Sequence, residues 1–367
     1  MSVPFLDLGA AYHALQTDID AAVARTLGSG WYIGGPEVAS FEQAFAASVD
    51  AAHCVGVANG LDALHLALRA LGIGPGDEVI TASNSYIATL LAISMVGATP
   101  VLVEPHERTH NLDPAKIEAA ITIRTRALLP THLYGQPADL NPMLEIAERH
   151  GLKLIEDAAQ AHGARYKERP VGAYGHVVCW SFYPSKNLGA LGDAGAVTTN
   201  DAELADRIRT LGNYGSHRRY VNEVRGVNSR LDPVQAAVLG VKLKHLAEWN
   251  ERRRVTANFY LDALVETNLV LPEVPAWADP CWHLFVVRSP ERDRLQAQLA
   301  EAGIQTLIHY PIPPHRQQAY ADLGYGEGAF PIAERLADEV LSLPIGPHLA
   351  REQAELVVEA VRRAAAT

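Results

Sequence analysis

Residues 153–163 read Lys153-Leu-Ile-Glu156-Asp157-Ala-Ala-Gln160-Ala-His162-Gly163. An apolar run closed by two acids fits a buried strand that delivers a carboxylate to a sheet edge. Residues 181–195 then read Ser181-Phe-Tyr-Pro-Ser-Lys186-Asn187-Leu-Gly-Ala-Leu-Gly-Asp-Ala-Gly195, flanked by short apolar runs at 177–182 and 196–199 that read as strands. Upstream, 142–150 reads as a helix closed by Gly151, 127–131 as a strand, 114–123 as a helix, and 97–103 and 78–81 as strands. Leu61, Leu64, Leu68 and Leu71 recur at i, i+3, i+7 and i+10, the stripe of an amphipathic helix, and Gly72-Ile-Gly-Pro-Gly-Asp77 stops it. Downstream, 202–211 is helical. Strands alternating with helices predict an α/β layer around a mostly parallel sheet. A long, bent helical stretch from 233 to 264 leads to a strand at 283–287, a helix at 292–302, a strand at 305–308 and helices at 332–341 and 350–364. This order places a large domain at 1–245 and a small α+β domain at 246–367.

Composition narrows the function. The 367 residues are 48% hydrophobic and 20% charged, the proportions of a soluble globular protein. A net charge of −11 argues against nucleic-acid or anionic-membrane partners. Cys54, Cys179 and Cys281 lie far apart with no C-x-x-C pair, so neither a metal site nor a disulfide framework is expected. The start, Met1-Ser-Val-Pro-Phe-Leu-Asp7, lacks the basic and apolar regions of a signal peptide. The uncharged window 79–103 carries enough Thr, Ser, Asn, Gly and Pro to read as strand, loop, helix and strand instead of a membrane span. A cytoplasmic location is expected.

Ligands of open α/β sheets bind beyond the carboxyl ends of the strands. Three segments bring reactive groups there. Asp157 ends a buried strand and wants a cationic partner. Lys186 stands alone among aromatics and glycines, where desolvation makes an amine nucleophilic. Ala58-Asn59-Gly60-Leu61-Asp62-Ala63 opens the leucine-striped helix and offers free N–H groups to a phosphate. Each has a bland alternative: a turn cap, a snorkelling lysine, a helix cap. Together they form the set that pyridoxal 5'-phosphate requires: amides for its phosphate, an acid for its pyridine nitrogen and a lysine for its aldehyde.

Four segments, Asn59-Gly-Leu-Asp-Ala-Leu64, Glu156-Asp-Ala-Ala-Gln-Ala-His-Gly-Ala164, Ser181-Phe-Tyr-Pro-Ser-Lys-Asn187 and Gly226-Val-Asn-Ser-Arg-Leu-Asp232, resemble the nucleotide-sugar aminotransferases of the DegT/StrS type. The resemblance runs from Val3 to at least Pro313. It implies the aspartate-aminotransferase-like fold (fold type I) and a homodimer with active sites at the subunit interface. It implies that Lys186 is the Schiff-base lysine and Asp157 the pyridine-nitrogen partner, that Tyr86 stacks on the ring and that Gln160 bonds its phenolic oxygen. The backbone of Gly60, Leu61 and Asp62 and the Ser181 hydroxyl would hold the phosphate, with Asn228 arriving from the other subunit and His162 lining the pocket. On the substrate side it points to Tyr183, His309, Tyr310 and Trp31-Tyr32, with Arg218, Arg219 and Arg230 as candidate diphosphate contacts.

Asn213-Tyr-Gly-Ser216, Ser181-Phe-Tyr-Pro184 and Thr131-His-Leu-Tyr-Gly-Gln136 look most like the branch that aminates carbon 3 of a dTDP-linked 3-keto-6-deoxyhexose. L-Glutamate is the family's habitual donor, and pyridoxamine 5'-phosphate the half-reaction form. Two residues depart from the branch: Gly34, where an apolar residue is usual, and Ala194, in place of a glycine. Alternatives are carbon-4 amination, an amino-hydroxybenzoate synthase, a cyclitol aminotransferase and a non-catalytic regulator. Family dehydratases carry histidine at the lysine position, so Lys186 opposes that reading. A nicotinamide enzyme would want G-x-G-x-x-G after the first strand, whereas the 72–76 glycines follow a helix.

Overall fold

The computed structural model describes residues 2–172 and 174–365. The strands in chain order are β1 (His53–Val57), β2 (Glu78–Ala82), β3 (Thr99–Val103), β4 (Thr125–Leu129), β5 (Lys153–Asp157), β6 (Arg165–Tyr166), β7 (Arg169–Pro170), β8 (Val177–Ser181), β9 (Gly195–Thr199), β10 (Ala278–Asp279), β11 (Phe285–Arg288) and β12 (Val340–Leu343). Seven of them form one sheet in the order β1-β9-β8-β5-β4-β2-β3. Its pairs are parallel except where β9 meets β1 and β8. The expected α/β layer is therefore present, with one strand reversed. Reversing β9 leaves β1, β8, β5, β4, β2 and β3 pointing the same way, so their carboxyl ends share one edge. β6, β7 and β10 make a small second sheet, and β11 pairs with β12.

The leucine stripe forms the helix Gly60–Ala70, whose face of Ala63, Leu64, Leu66, Ala67 and Leu68 is fully buried. Gly72 and Gly76, both at positive φ, make the turn that ends it, a conformation that favours glycine. On the other sheet face, Phe41, Phe45, Trp180 and Phe182 pack edge to face at 5.1–5.4 Å between ring centres. The 233–264 stretch is two helices, Pro233–Leu243 and Leu246–Leu264, broken at Lys244 and His245. Beyond it Tyr260, Phe285, Leu299, Leu341 and Val357 build a separate core, which Val3 joins from the N-terminus. Val3 bridges to Ile304, so the chain start is tied to the C-terminal unit.

Several local expectations give way. The 114–123 segment is two short 3-10 turns, Pro114–Lys116 and Glu118–Ala120, after which Ile121 is extended. The 305–308 stretch makes only an isolated bridge from Leu307 to Ser342. The helix placed at 332–341 stops at Glu339, and Val340 begins β12. β1 and the helices Leu8–Ala14, Gln16–Ser29 and Pro36–Ser48 lie where no element was expected. Among the described residues no helix is long and apolar enough to cross a membrane.

Candidate active site

The carboxyl ends of β1, β8 and β5 bring together the three segments picked out above. After β1 the chain turns at Asn59 into the helix Gly60–Ala70, and this turn presses on β8. A Cβ on Gly60 would lie 2.6 Å from Ser181 Cβ, and one on Gly195 would lie 2.4 Å from the Asn59 carbonyl oxygen. Only glycine permits that approach. Asn59 Oδ1 accepts the Asp62 N–H at 2.8 Å, so this amide, expected to serve a phosphate, is spent on capping the helix. The N–H groups of Gly60 and Leu61 bond nothing within the described chain and face outward at the positive end of the helix dipole. The Ser181 hydroxyl stands beside them and accepts the Tyr183 N–H at 3.3 Å, which leaves its own hydrogen free.

Asp157 ends β5 and is buried. Its Oδ2 accepts from Thr89 Oγ1 at 2.9 Å and from Thr131 Oγ1 at 3.5 Å, and its Oδ1 from the Ala159 N–H at 3.2 Å. Burial raises its pKa above the ordinary carboxylate value, against the Ala159 amide, the Thr89 hydroxyl, Lys186 and His132. Burial lowers Lys186 to about 8, with Asp157 opposing. The neighbouring Glu156 is fully buried as well. His132 Nδ1 accepts the Ala138 N–H at 2.9 Å, so its Nε2–H donates to Glu156 Oε2 at 2.9 Å. This pair fixes the strand end that carries Asp157.

Aromatic and polar groups enclose the space in front. Tyr86 and Tyr310 lie 5.1 Å apart between ring centres. Gln160 Nε2 donates to the Tyr310 hydroxyl at 3.1 Å, and its Oε1 accepts the Tyr134 N–H at 2.6 Å. In this arrangement Gln160 is clamped between two protein groups, with one amide hydrogen left for a ligand. His309 Nδ1 lies 2.8 Å from Ser342 Oγ, and burial lowers His309 to about 4. His162 is wholly buried against Trp180 and Phe182, neither ring nitrogen has a hydrogen-bond partner, and burial lowers it to about 3. It is neutral.

Other expected residues lie outside this enclosure. Trp31, Tyr32 and Tyr183 are more than half exposed, as is Tyr86, but unlike Tyr86 none of them has a ring contact with Tyr310. Asn228 is exposed on the loop that bridges back to Asn213. Arg218 and Arg219 are exposed, whereas Arg230 donates to Asn213 Oδ1 at 3.1 Å and lies over the Tyr214 ring. Sequence reasoning missed Thr89, Thr131, Tyr134 and His283, which borders Asn187 at 3.1 Å. Thr89 left a signal: it is one of two hydroxyl residues, with Ser94, in the otherwise apolar helix Ile87–Met95, and a hydroxyl in such a helix is either back-bonded or aimed at something.

The donor set fits pyridoxal phosphate. Free amides and a hydroxyl sit where a Cβ would leave no room, a braced carboxylate stands at the strand end, and the lysine is partly deprotonated near neutral pH. Among the described residues no group of three or more His, Cys, Asp or Glu side chains could hold a metal ion.

Comparison with known proteins agrees with this geometry. The DegT/DnrJ/EryC1/StrS aminotransferase family model matches residues 13–362. The chain is 57% identical over 361 residues to the dTDP-3-amino-3,4,6-trideoxy-alpha-D-glucose transaminase of Streptomyces venezuelae, covering 98% of this chain and 95% of that one. It is 55% identical to the dTDP-3-amino-3,6-dideoxy-alpha-D-galactopyranose transaminase of Aneurinibacillus thermoaerophilus, covering 98% and 99%. Among solved structures, S. venezuelae DesV in complex with a ketimine intermediate superposes with a TM-score of 0.98 at 56% identity, covering 100% and 99%. A Bacillus subtilis structure with bound cofactor PMP superposes at 0.92 and 32% identity, covering 100% and 86%.

Proposed function

Because the chain belongs to the DegT/DnrJ/EryC1/StrS aminotransferase family, we propose that it moves an amino group from L-glutamate to carbon 3 of a dTDP-linked 3-keto-6-deoxyhexose. Pyridoxal 5'-phosphate would be its cofactor and pyridoxamine 5'-phosphate the half-reaction form. The observation that carries the reading is the meeting of Lys186, Asp157 and the Gly60 turn at one sheet edge. The transaminase names of relatives at 55% and 57% identity support the dTDP-sugar and the position of amination.

When bound, the cofactor supplies an electron sink for the carbon that gains or loses the amino group. The chain's residues do the rest. The Gly60 and Leu61 amides and the Ser181 hydroxyl hold the phosphate. Asp157, braced by Thr89 and the Ala159 amide, holds a proton on the pyridine nitrogen by charge pairing. Tyr86 covers one ring face. Lys186 Nζ, with its pKa near 8, would take a proton from the substrate carbon and return it to the carbon on the far side of the shared nitrogen. His309 and Tyr310 border the substrate side, and Tyr183 and Tyr32 complete it from the exposed rim. Asn228, exposed and without a side-chain hydrogen bond among the described residues, reaches the partner's phosphate in a homodimer. The break at Lys244 and His245 supports the division into a 1–245 and a 246–367 unit, with the chain start crossing over through the Val3–Ile304 bridge. A cytoplasmic location goes with a water-soluble nucleotide sugar.

The test is the visible absorption of the cofactor-loaded protein before and after L-glutamate, followed by a panel of dTDP-keto-sugars. The expected result is a band that shifts with glutamate and returns with a 3-keto-6-deoxyhexose, and that Lys186→Ala lacks from the start. Turnover preserved in Lys186→Ala, or return of the band only with 4-keto-sugars, would overturn the assignment.

A further inference from the structure

A cavity of about 280 Å³ lies on the flank of the 184–191 loop, between the N-terminal segment and the 345–349 turn. Lys186 lines it, but Tyr86, Asp157, Gln160, Ser181 and Tyr310 do not. Its walls hold Lys242, Arg253 and His348, and the single acid among its lining residues is Asp7. Lys242 and Arg253 are only 4% and 3% exposed, and neither forms an ion pair among the described residues. Charged groups this deep are normally paired.

Their hydrogen bonds leave capacity unused. Lys242 Nζ donates one bond, to the Gly189 carbonyl at 2.7 Å. Arg253 Nη1 is shared among the carbonyls of Trp282, His283 and Ile345 at 3.2–3.3 Å, and its buried Nε has no partner. His348 Nε2 is likewise buried and without one. Asp7 is the only counter-charge at this wall and opposes the lowering of the His348 pKa, but its Oδ1 caps the helix Leu8–Ala14 through the Gly9 and Ala10 amides at 2.9 and 3.1 Å, and it forms no ion pair with Lys242 or Arg253 among the described residues. Burial pulls Lys242 down to about 8 and Arg253 to about 10, the direction expected of cations without a counter-charge.

We propose that this cavity binds a small carboxylate through Lys242 and Arg253, beside Lys186. Phe5 and Trp249 offer apolar wall to a short carbon skeleton, and the two cations offer one carboxylate its counter-charge. The carboxylate could come from the amino donor and its oxo-acid product, a source that rests on the aminotransferase reading, or from a regulatory metabolite.

The probe is 2-oxoglutarate, titrated calorimetrically into the holoenzyme in its pyridoxal form, which has no amino group to give. One molecule binds per chain. Lys242→Met weakens it at least tenfold. Asp7→Asn, which keeps the helix cap but removes the nearby negative charge, strengthens it several-fold. The opposite-sign pair keeps the test decisive even if Lys242→Met folds poorly. No binding to the wild type, or equal affinity in wild type, Lys242→Met and Asp7→Asn, overturns the site. Steady-state kinetics separates the sources: a donor site raises KM for L-glutamate and leaves KM for the keto-sugar, whereas an effector site loses binding with both KM values kept. Failure to transaminate any keto-sugar would defeat the functional reading and leave this binding result standing.

Discussion

Thr89→Val tests whether Asp157 is held in its working state by its neighbours. Valine nearly matches threonine in shape, so the buried site is neither emptied nor overfilled, and the change removes one hydroxyl at 2.9 Å from Asp157 Oδ2. A hydrogen bond to a charged group contributes about 1.5–3 kcal/mol. Thr131, at 3.5 Å on the same oxygen, takes up part of that loss, so the low end applies. At ~1.4 kcal/mol per tenfold, cofactor affinity falls by about tenfold. The loss also depends on pH. Burial already raises the Asp157 pKa and Thr89 opposes this, so without Thr89 it rises further. Protonated Asp157 cannot pair with a pyridinium, so the defect deepens as pH falls. The assay is cofactor titration of the apoprotein by fluorescence quenching from acidic to mildly alkaline pH, with Thr89→Ser as the conservative control. Thr89→Ser should restore both affinity and profile. Equal affinity and an unshifted profile for Thr89→Val would refute the reasoning, because a hydroxyl that only fills space would leave both unchanged.

Two further changes probe the same edge. Gly60→Ala places a methyl 2.6 Å from Ser181 Cβ, where backbone must yield; overpacking of this kind costs about 1–3 kcal/mol, and a lowered thermal midpoint with weaker cofactor binding is expected. Asp157→Asn should separate stability from function. Because burial raises the Asp157 pKa, its ionised form is the disfavoured one in the folded apoprotein, so the stability tied to it is present at low pH and lost as pH rises through the folded value. Asparagine escapes that loss. The apo variant therefore gains on the wild type as pH rises in thermal melts, while its cofactor affinity drops; a variant that loses stability with rising pH would contradict this sign.

The parts of the site that could be read from sequence are those whose chemistry is local. The Asn59-Gly60 turn announces a helix start, the acid at 157 closes an apolar run, and Lys186 is conspicuous in an uncharged stretch. What escaped depends on distant partners. At Asn59 the sequence leaves both a phosphate loop and a helix cap open, and the structure shows that the cap takes the Asp62 amide and leaves those of Gly60 and Leu61. Gln160 looks like a free donor until Tyr134 and Tyr310 arrive from 26 residues before it and 150 after it. β12 was absorbed into a helix because Val340 and Leu341 continue the apolar period of Pro331–Glu339, and only pairing with β11 makes them a strand. β1 escaped because His53-Cys-Val-Gly-Val57 carries a glycine; it is tolerated there because a Cβ would meet Leu231 Cβ at 2.6 Å, so the backbone comes close to its neighbour.

The two central groups pull the free chain in the same direction. Burial disfavours the charge on Asp157 and the charge on Lys186 alike, and each partly rescues the other. A fold selected only for stability would replace both with apolar residues. The cofactor proposed above would meet both at once, with a cationic ring nitrogen at Asp157 and an electrophilic carbon at Lys186. The Lys242–Arg253 cavity adds a second case on the other flank of the same loop: buried cations that form no ion pair among the described residues. Both sets of buried charges converge on Lys186: Asp157 couples to it electrostatically, and the Lys242–Arg253 cavity opens beside it.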